Sequence, residues 1–221
     1  MNTSPQARAR TSRRVKPTRQ LFLTFIGVIV AGTALLMLPM SRSAEGGAPF
    51  SEAVFTATSA VTVTGLAVVD TSTYWSLFGE IVILGLIQLG GLGVMTFTAL
   101  LVIIIGGRMG MRRRQAAQAE QGILEPGEIR RILVGVAVLT LVVEAILAIV
   151  LFLRFLTLGN DVGEAAWLGV FQGISAFNGA GLTLFSNSLA GFSGDPVILS
   201  TMAIGVIAGG LGIPVWADIT R

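Results

Sequence analysis

Two short stretches of this sequence carry residue types that can hold a dehydrated cation: Thr62-Val63-Thr64-Gly65 and Asn178-Gly179-Ala180-Gly181. A cation stripped of water needs several oxygens aimed at one axis. Backbone carbonyls supply them when an extended segment lines a narrow pore. Such a segment adopts unusual φ/ψ values, and Gly permits these best. Each stretch closes a longer pattern. FTATSAVTVTGL occupies 55–66 and FQGISAFNGAGL occupies 171–182, with Phe, Ser-Ala, Gly and Leu recurring 116 positions apart. Gly90-Gly91-Leu92-Gly93 and Gly209-Gly210-Leu211-Gly212 recur 119 apart. A lone T-x-T-G occurs in ordinary turns. A repeat at matched spacing argues against simple loop glycines.

The elements that must position these stretches follow from hydropathy and punctuation. Residues 51–60 read as a helix of about 15 Å, half a bilayer. Ser51 is the expected N-cap, Glu52 suits the positive end of the helix dipole, and Phe50 is placed to staple against Phe55. Val61-Thr62-Val63-Thr64-Gly65 is β-branched and ends at Gly, so the helix is expected to stop there. Non-helical backbone at that depth is tolerated only inside protein or beside water. Full spans are expected at 21–38, 74–105, 132–156 and 196–213, with a second half-helix at 165–177. The 74–105 span is too long for a perpendicular crossing. It must tilt, project into the cytoplasm or bend near Gly90–Gly93.

Composition fixes the solvent. Of 221 residues, 53% are hydrophobic and 12% charged, and the mean hydropathy is +0.81, whereas a soluble domain carries about 25% charged residues. The first apolar run is too long for a signal peptide and no small-residue cleavage site follows it. Cys and His are both absent. Disulfides, thiolate chemistry and most metal sites and triads therefore lack their usual residues, and a membrane enzyme would have to rely on clustered intramembrane carboxylates. Arg8, Arg10, Arg13, Arg14, Lys16 and Arg19 precede the first span. Arg108 and Arg112, Arg113 and Arg114 follow the second, and Arg130 and Arg131 precede the third. Only Arg42 and Arg154 fall near opposite ends. The positive-inside rule then puts the N-terminus in the cytoplasm, and topology accounts for the basic runs without nucleic acid.

The expected fold is thus an all-α membrane protein of two parallel span–pore-helix–filter-loop–span repeats. The division is 1–20 cytoplasmic basic segment, 21–106 first repeat, 107–131 cytoplasmic loop and 132–221 second repeat. Asp70, Asp161 and Glu164, with Glu45, Glu52 and Asp195, give the outer side a negative mouth that draws cations. Glu144, in mid-span, is either functional or a hydrogen-bonded carboxyl facing another helix. Gln88 is expected to bond a neighbouring helix, and Glu80 to be solvated at the interface. Gly85, Gly90, Gly91 and Gly93 are expected to serve close helix packing, and Trp75, Trp167 and Trp216 to anchor in the interface. GRMGMR at 107–112 follows a span rather than a strand, so it is no dinucleotide fingerprint.

SAVTVTGL at 59–66, SAFNGAGL at 175–182 and QLGGLGVMTF at 88–97 resemble the bacterial Ktr/Trk potassium-uptake family, specifically its Ktr-type membrane pore subunit. The resemblance covers nearly everything after residue 20. It implies a potassium-channel-like pore in which the carbonyls of Thr62, Val63, Thr64 and Gly65, and of Asn178, Gly179, Ala180 and Gly181, coordinate K+. It implies no cofactor in this chain: K+ is the transported ion, Na+ is left open, and nucleotide binds only a partner subunit. The implied partners are the lipid bilayer, a second copy in a homodimer, and a cytoplasmic ring of nucleotide-binding regulatory domains docked on 107–131. The family has four repeats around its pore and this sequence has two, so the expectation is the N-terminal half of a longer product in the cell membrane. The competing class is a secondary transporter binding substrate at broken half-helices. It would be favoured by inverted repeats or a charged mid-membrane pair, and neither is seen.

Overall fold

The computed structural model describes residues 17–109 and 126–219, and the side chains of 22–96 and 133–211. Seven helices are described: α1 (Pro17–Leu36), α2 (Phe50–Thr62), α3 (Thr71–Tyr74), α4 (Leu77–Met109), α5 (Pro126–Thr157), α6 (Val162–Asn178) and α7 (Pro196–Ile219). Two 3-10 turns, Pro39–Ser41 and Ala190–Phe192, lie in the connections. No strand occurs among the described residues; an isolated bridge pairs Arg42 with Trp75. The order long helix, half-length helix, irregular loop, long helix therefore occurs twice.

Several boundaries differ from expectation. Pro49 holds the N-cap position of α2, with no side-chain cap. Its extended backbone starts the helix one residue early, and Ser51 lies inside the first turn. Phe50 is 64% exposed, so it forms no staple. At the other end α2 continues to Thr62. The Thr62 and Thr58 hydroxyls donate back to the carbonyls of Thr58 and Val54 at 2.7 and 2.6 Å. Back-bonding satisfies the hydroxyls within the helix, so the β-branched residues do not end it. Helix α4 runs unbroken through Gly90–Gly93 to Met109, so its length is taken up without a helix break. The basic segment 1–16 and the loop 110–125, including Arg112, Arg113, Arg114 and the proposed docking face, lie outside the described residues.

Leu77–Thr96 and Leu133–Thr157 are long and apolar enough to cross a membrane; Phe22–Leu36 and Pro196–Leu211 are shorter apolar helices. Val138, Leu141, Val142, Ile146, Ile149 and Leu153 on α5 are all exposed. In water such a stripe would be an aggregation surface; against lipid tails it is the ordinary outer face of a span. Lipid is as apolar as the side chains, so close backbone approach carries much of the packing. Gly169 and Gly173 on α6 do this against α5. A Cβ at Gly169 would sit 2.7 Å from the Ala148 carbonyl oxygen, and one at Gly173 3.0 Å from the Ala148 nitrogen. Ala53, Ala57 and Ala60 bury the equivalent face of α2 completely.

Candidate functional site

Helices α2 and α6 end in the same way, 116 positions apart. Val63 is the C-cap of α2 at φ 55°, ψ 41°, and its N–H donates to Ala60 and Ser59 carbonyls. Gly179 is the C-cap of α6 at φ 71°, ψ 22°, donating to Ala176 and Ser175 carbonyls. One residue on, Thr64 N–H donates to Ser59 at 3.1 Å and Ala180 N–H to Ser175 at 2.8 Å. These bonds close both helices in a left-handed turn. Gly65 and Gly181 follow at φ 74° and 69°. Thr62 and Asn178 are thus last helical residues and Val63 and Gly179 are caps. Only Thr64-Gly65 and Ala180-Gly181 of each four-residue stretch lie beyond the helix and its cap.

The two loops meet. A Cβ on Gly65 would lie 2.6 Å from the Ala180 carbonyl oxygen and 3.2 Å from Gly181 Cα, and one on Gly181 would lie 3.3 Å from Gly65 Cα. Above them is an opening of about 370 Å³ lined by Gly65, Gly181, Asp70, Thr183, Ser186 and Ser188, among others. Asp70 is therefore the predicted acid that the structure brings to the loops. It caps α3 by accepting from Ser72 N–H at 3.0 Å and the Ser72 hydroxyl at 2.6 Å, and Ser72 meets the Ser186 hydroxyl at 3.0 Å. Hydrogen bonding from Ser186, then from Ser72, holds its carboxyl below the ordinary value. Asp161 and Glu164 sit at the opposite end of α6, where Asp161 accepts Gly163 N–H at 3.1 Å as the cap. Asp195 caps α7 and pairs with Arg154 at 2.8 Å. Glu52 accepts the Tyr74 hydroxyl.

Behind the second loop is a polar cluster whose connections sequence reading missed. The Glu144 carboxylate on α5 accepts from Asn178 Nδ2 at 2.8 Å and from Gln88 Nε2 on α4 at 3.0 Å. Asn178 Nδ2 also reaches the Ile174 carbonyl at 2.9 Å. Glu144 is 3% exposed and hydrogen-bonded to two other helices, and Gln88 does bond a neighbouring helix. The Ser175 hydroxyl ties the loop from behind by donating to the Leu182 carbonyl at 2.6 Å.

The inner-helix glycines serve close packing as expected. A Cβ at Gly90 would collide with the Val61 carbonyl oxygen, and one at Gly209 with that of Phe177. Gly91 lies against the Asn178 side chain and Gly93 against Phe25; Gly85 faces open space. Glu80 accepts Trp167 Nε1 at 2.5 Å instead of facing solvent. Trp75 is buried at 2% exposure, a packing residue and not an interfacial one. Burial follows from its place in the Arg42 bridge and its ring contact with Tyr74. The Trp216 side chain lies outside the described residues.

An all-helical fold with lipid-facing spans and paired half-helices ending on one polar opening defines a membrane protein of the pore-loop kind. The TrkH family model, described as a cation transport protein, matches residues 4–220, and the chain belongs to that family, whose members are transport proteins and not enzymes. It is 38% identical over 210 residues to the Ktr system potassium uptake protein B of Bacillus subtilis, covering 94% of this chain and 46% of that protein. Against the protein of the same name from Vibrio alginolyticus the figures are 39% over 208 residues, 92% and 44%. The potassium/sodium uptake protein NtpJ of Enterococcus hirae is 32% identical over 213 residues, with 95% and 46% covered. The chain spans about half the length of the curated relatives it matches.

Proposed function

We propose that this chain forms two pore repeats, 21–106 and 132–221, of a K+ uptake protein of the cell membrane. Its selectivity filter is built from the carbonyls of 62–65 and 178–181. The observation that carries this reading is the meeting of Gly65 and Gly181 beneath one polar opening, each on an identically capped half-helix. Both half-helices aim their negative C-terminal ends at that point, which favours a cation. Asp70 adds a carboxylate at the mouth, with Asp161 and Glu164 farther out on the same side. An inside-negative potential then drives entry by about 2.3 kcal/mol per charge per 100 mV. The basic segment 1–20 and loop 107–131 face the cytoplasm. There the loop docks a partner of the Ktr system, a ring of nucleotide-binding regulatory domains, and the assembly is a homodimer. Nucleotide binds that partner, not this chain.

Two quarters do not close a ring. Gly91 on α4 seats the end of α6, but 119 positions on, Gly210 on α7 has no described atom within 4 Å of a Cβ. A neighbouring cavity of about 600 Å³, lined by Gly179, Met202, Ala203, Val206 and Ile207 among others, opens to the outside. That surface fits the pore-helix end of a further repeat. The test is ⁸⁶Rb⁺ uptake and growth at low K+ in cells lacking their own K+ uptake. The four-repeat protein is expected to restore both, with Na+ a weak competitor. Membrane-inserted protein that carries no Rb+ would overturn the reading.

A further inference from the structure

The Glu144 cluster carries an inference beyond the filter reading, on which it rests. Helix α6 must end at Asn178 for Gly179 to take its left-handed cap and for Ala180 and Gly181 to reach Gly65. Asn178 is held on several sides. Its Nδ2 donates to Glu144 Oε1 at 2.8 Å and to the Ile174 carbonyl at 2.9 Å, and it lies 3.4 Å from Gln88 Oε1. Its Oδ1 is buried without a hydrogen-bond partner and lies against Gly91, where no side chain fits. Gln88 in turn donates to the second oxygen of Glu144 at 3.0 Å. One carboxylate on α5 thereby ties together α4 and the last residue of α6. Ser175 anchors the far end of the loop at Leu182, but Gly179, Ala180 and Gly181 have no side-chain polar atoms of their own to fix the segment between. The matching position in the first loop, Thr62, bonds within its own helix instead.

We propose that Glu144 is a positioning residue for the second filter segment. It acts through Asn178, without touching the ion, and sets where the carbonyls of 179–181 lie. Loss of a group that orients a ligand from behind commonly costs 10–100-fold in affinity or activity. The decisive experiment measures ⁸⁶Rb⁺ uptake and its competition by Na+ in the full-length protein, with membrane protein quantified for every variant. Glu144→Leu is expected to lower the preference for Rb+ over Na+ by about tenfold. Glu144→Gln keeps an acceptor for Asn178 once Gln88 turns over, and should restore most of the preference. Glu144→Leu combined with Asn178→Ala should lose no more than the worse single variant, because both act through one contact.

Unchanged preference in Glu144→Leu overturns the proposal, as does equal loss in Glu144→Gln and Glu144→Leu, which would assign the effect to charge. If Glu144→Leu does not reach the membrane, Asn178→Ala and Gln88→Leu carry the same test, and unchanged preference in both overturns it. Gly65→Ser and Gly181→Ser run alongside. Unchanged preference in those two removes the filter reading itself, whereas a change there with none at Glu144 removes only the positioning role.

Discussion

The loops at 62–65 and 178–181 share a backbone and differ in what stands behind it. Both have a left-handed cap followed by Gly at positive φ, and both caps are closed by matching hydrogen bonds. The first loop is held by its own side chains: Thr64 donates to the Ser59 hydroxyl at 3.2 Å and lies 3.4 Å from the Thr62 hydroxyl. The second, poor in side chains, is held by Ser175 from within α6 and by Glu144 and Gln88 from neighbouring helices. Local sequence sets the turn, and the clamp comes from Glu144 on α5, in the same proposed repeat, joined by Gln88 on α4 of the other. The first quarter supplies α4 to brace α6, and no described element braces Thr62 in return. The difference between the loops is thus that side chains of its own helix and loop hold the first, while side chains of two further helices hold the second.

The sharpest way to break this comparison is at the glycines it treats as equivalent. Gly65→Ser and Gly181→Ser each force a side chain into the left-handed region, at about 1–2 kcal/mol. Gly65 adds a clash with the Ala180 carbonyl at 2.6 Å, while Gly181 meets nothing closer than 3.3 Å. Both should lower the preference for Rb+ over Na+, because the strain displaces the carbonyls that would discriminate between the ions, and Gly65→Ser should lower it further. Equal effects would mean that the close approach of the loops is unimportant.

The next pair tests the missing quarter. Gly91→Ala puts a methyl on the Asn178 amide and should destabilise the protein by about 1–3 kcal/mol, as overpacking does. Gly210→Ala meets no described atom. In the 221-residue chain it should be neutral or raise the thermal midpoint in detergent slightly, because Ala is the better helix former by about 0.5–1 kcal/mol. In a four-repeat protein it should be as harmful as Gly91→Ala. Harmless substitution at Gly210 in both forms would leave the α7 face without a partner.

Much of this was legible in the sequence because it is local. Each half-helix and the glycine that follows it lie within about a dozen residues, and their recurrence 116 positions on carries the signal. The packing role of Gly90–Gly93 was readable for the same reason. The extension of α2 to Thr62 was missed because β-branched residues were weighed by propensity, while their hydroxyls bond back to the preceding turn. The clamp was missed because Gln88, Glu144 and Asn178 lie far apart in the chain, and nothing in spacing brings them together. The outer acids divide similarly. Asp70, Asp161 and Asp195 each stand just before a helix and cap it, but of the three only Asp70 lines the opening above the two loops.

A smaller effect separates the two caps. Val63 is β-branched at φ 55° where its counterpart is Gly179 at φ 71°. Val63→Gly removes about 1–2 kcal/mol of left-handed strain, adds about 0.5–1 kcal/mol of chain entropy and gives up the packing of Val63 on the core, so it should stabilise by less than about 1 kcal/mol. Gly179→Val has no neighbour within 4 Å, so its cost should be the conformational 1–2 kcal/mol or so alone. Thermal midpoints moving in opposite directions would support equivalent caps. Destabilisation by both would mean that the packing of Val63 on the core outweighs its strain.

The smallest expected effect lies at the mouth. Ser186 and Ser72 hold the Asp70 carboxyl below its ordinary value of 3.8, so folding favours the ionised form. The stabilisation is therefore fully present above about pH 5 and is lost as pH falls through 3.8 and below. Asp70→Asn keeps the side-chain oxygen that caps α3 but removes the charge. Wild type should exceed it in thermal midpoint at pH 7 by a small margin that narrows as pH falls below 3.8. The same substitution should weaken Rb+ uptake at low ionic strength more than at high, because a mouth charge acts on approach and salt screens it over about 10 Å at 0.1 M. A margin that does not narrow as pH falls would mean that Asp70 matters as a cap and not as a charge.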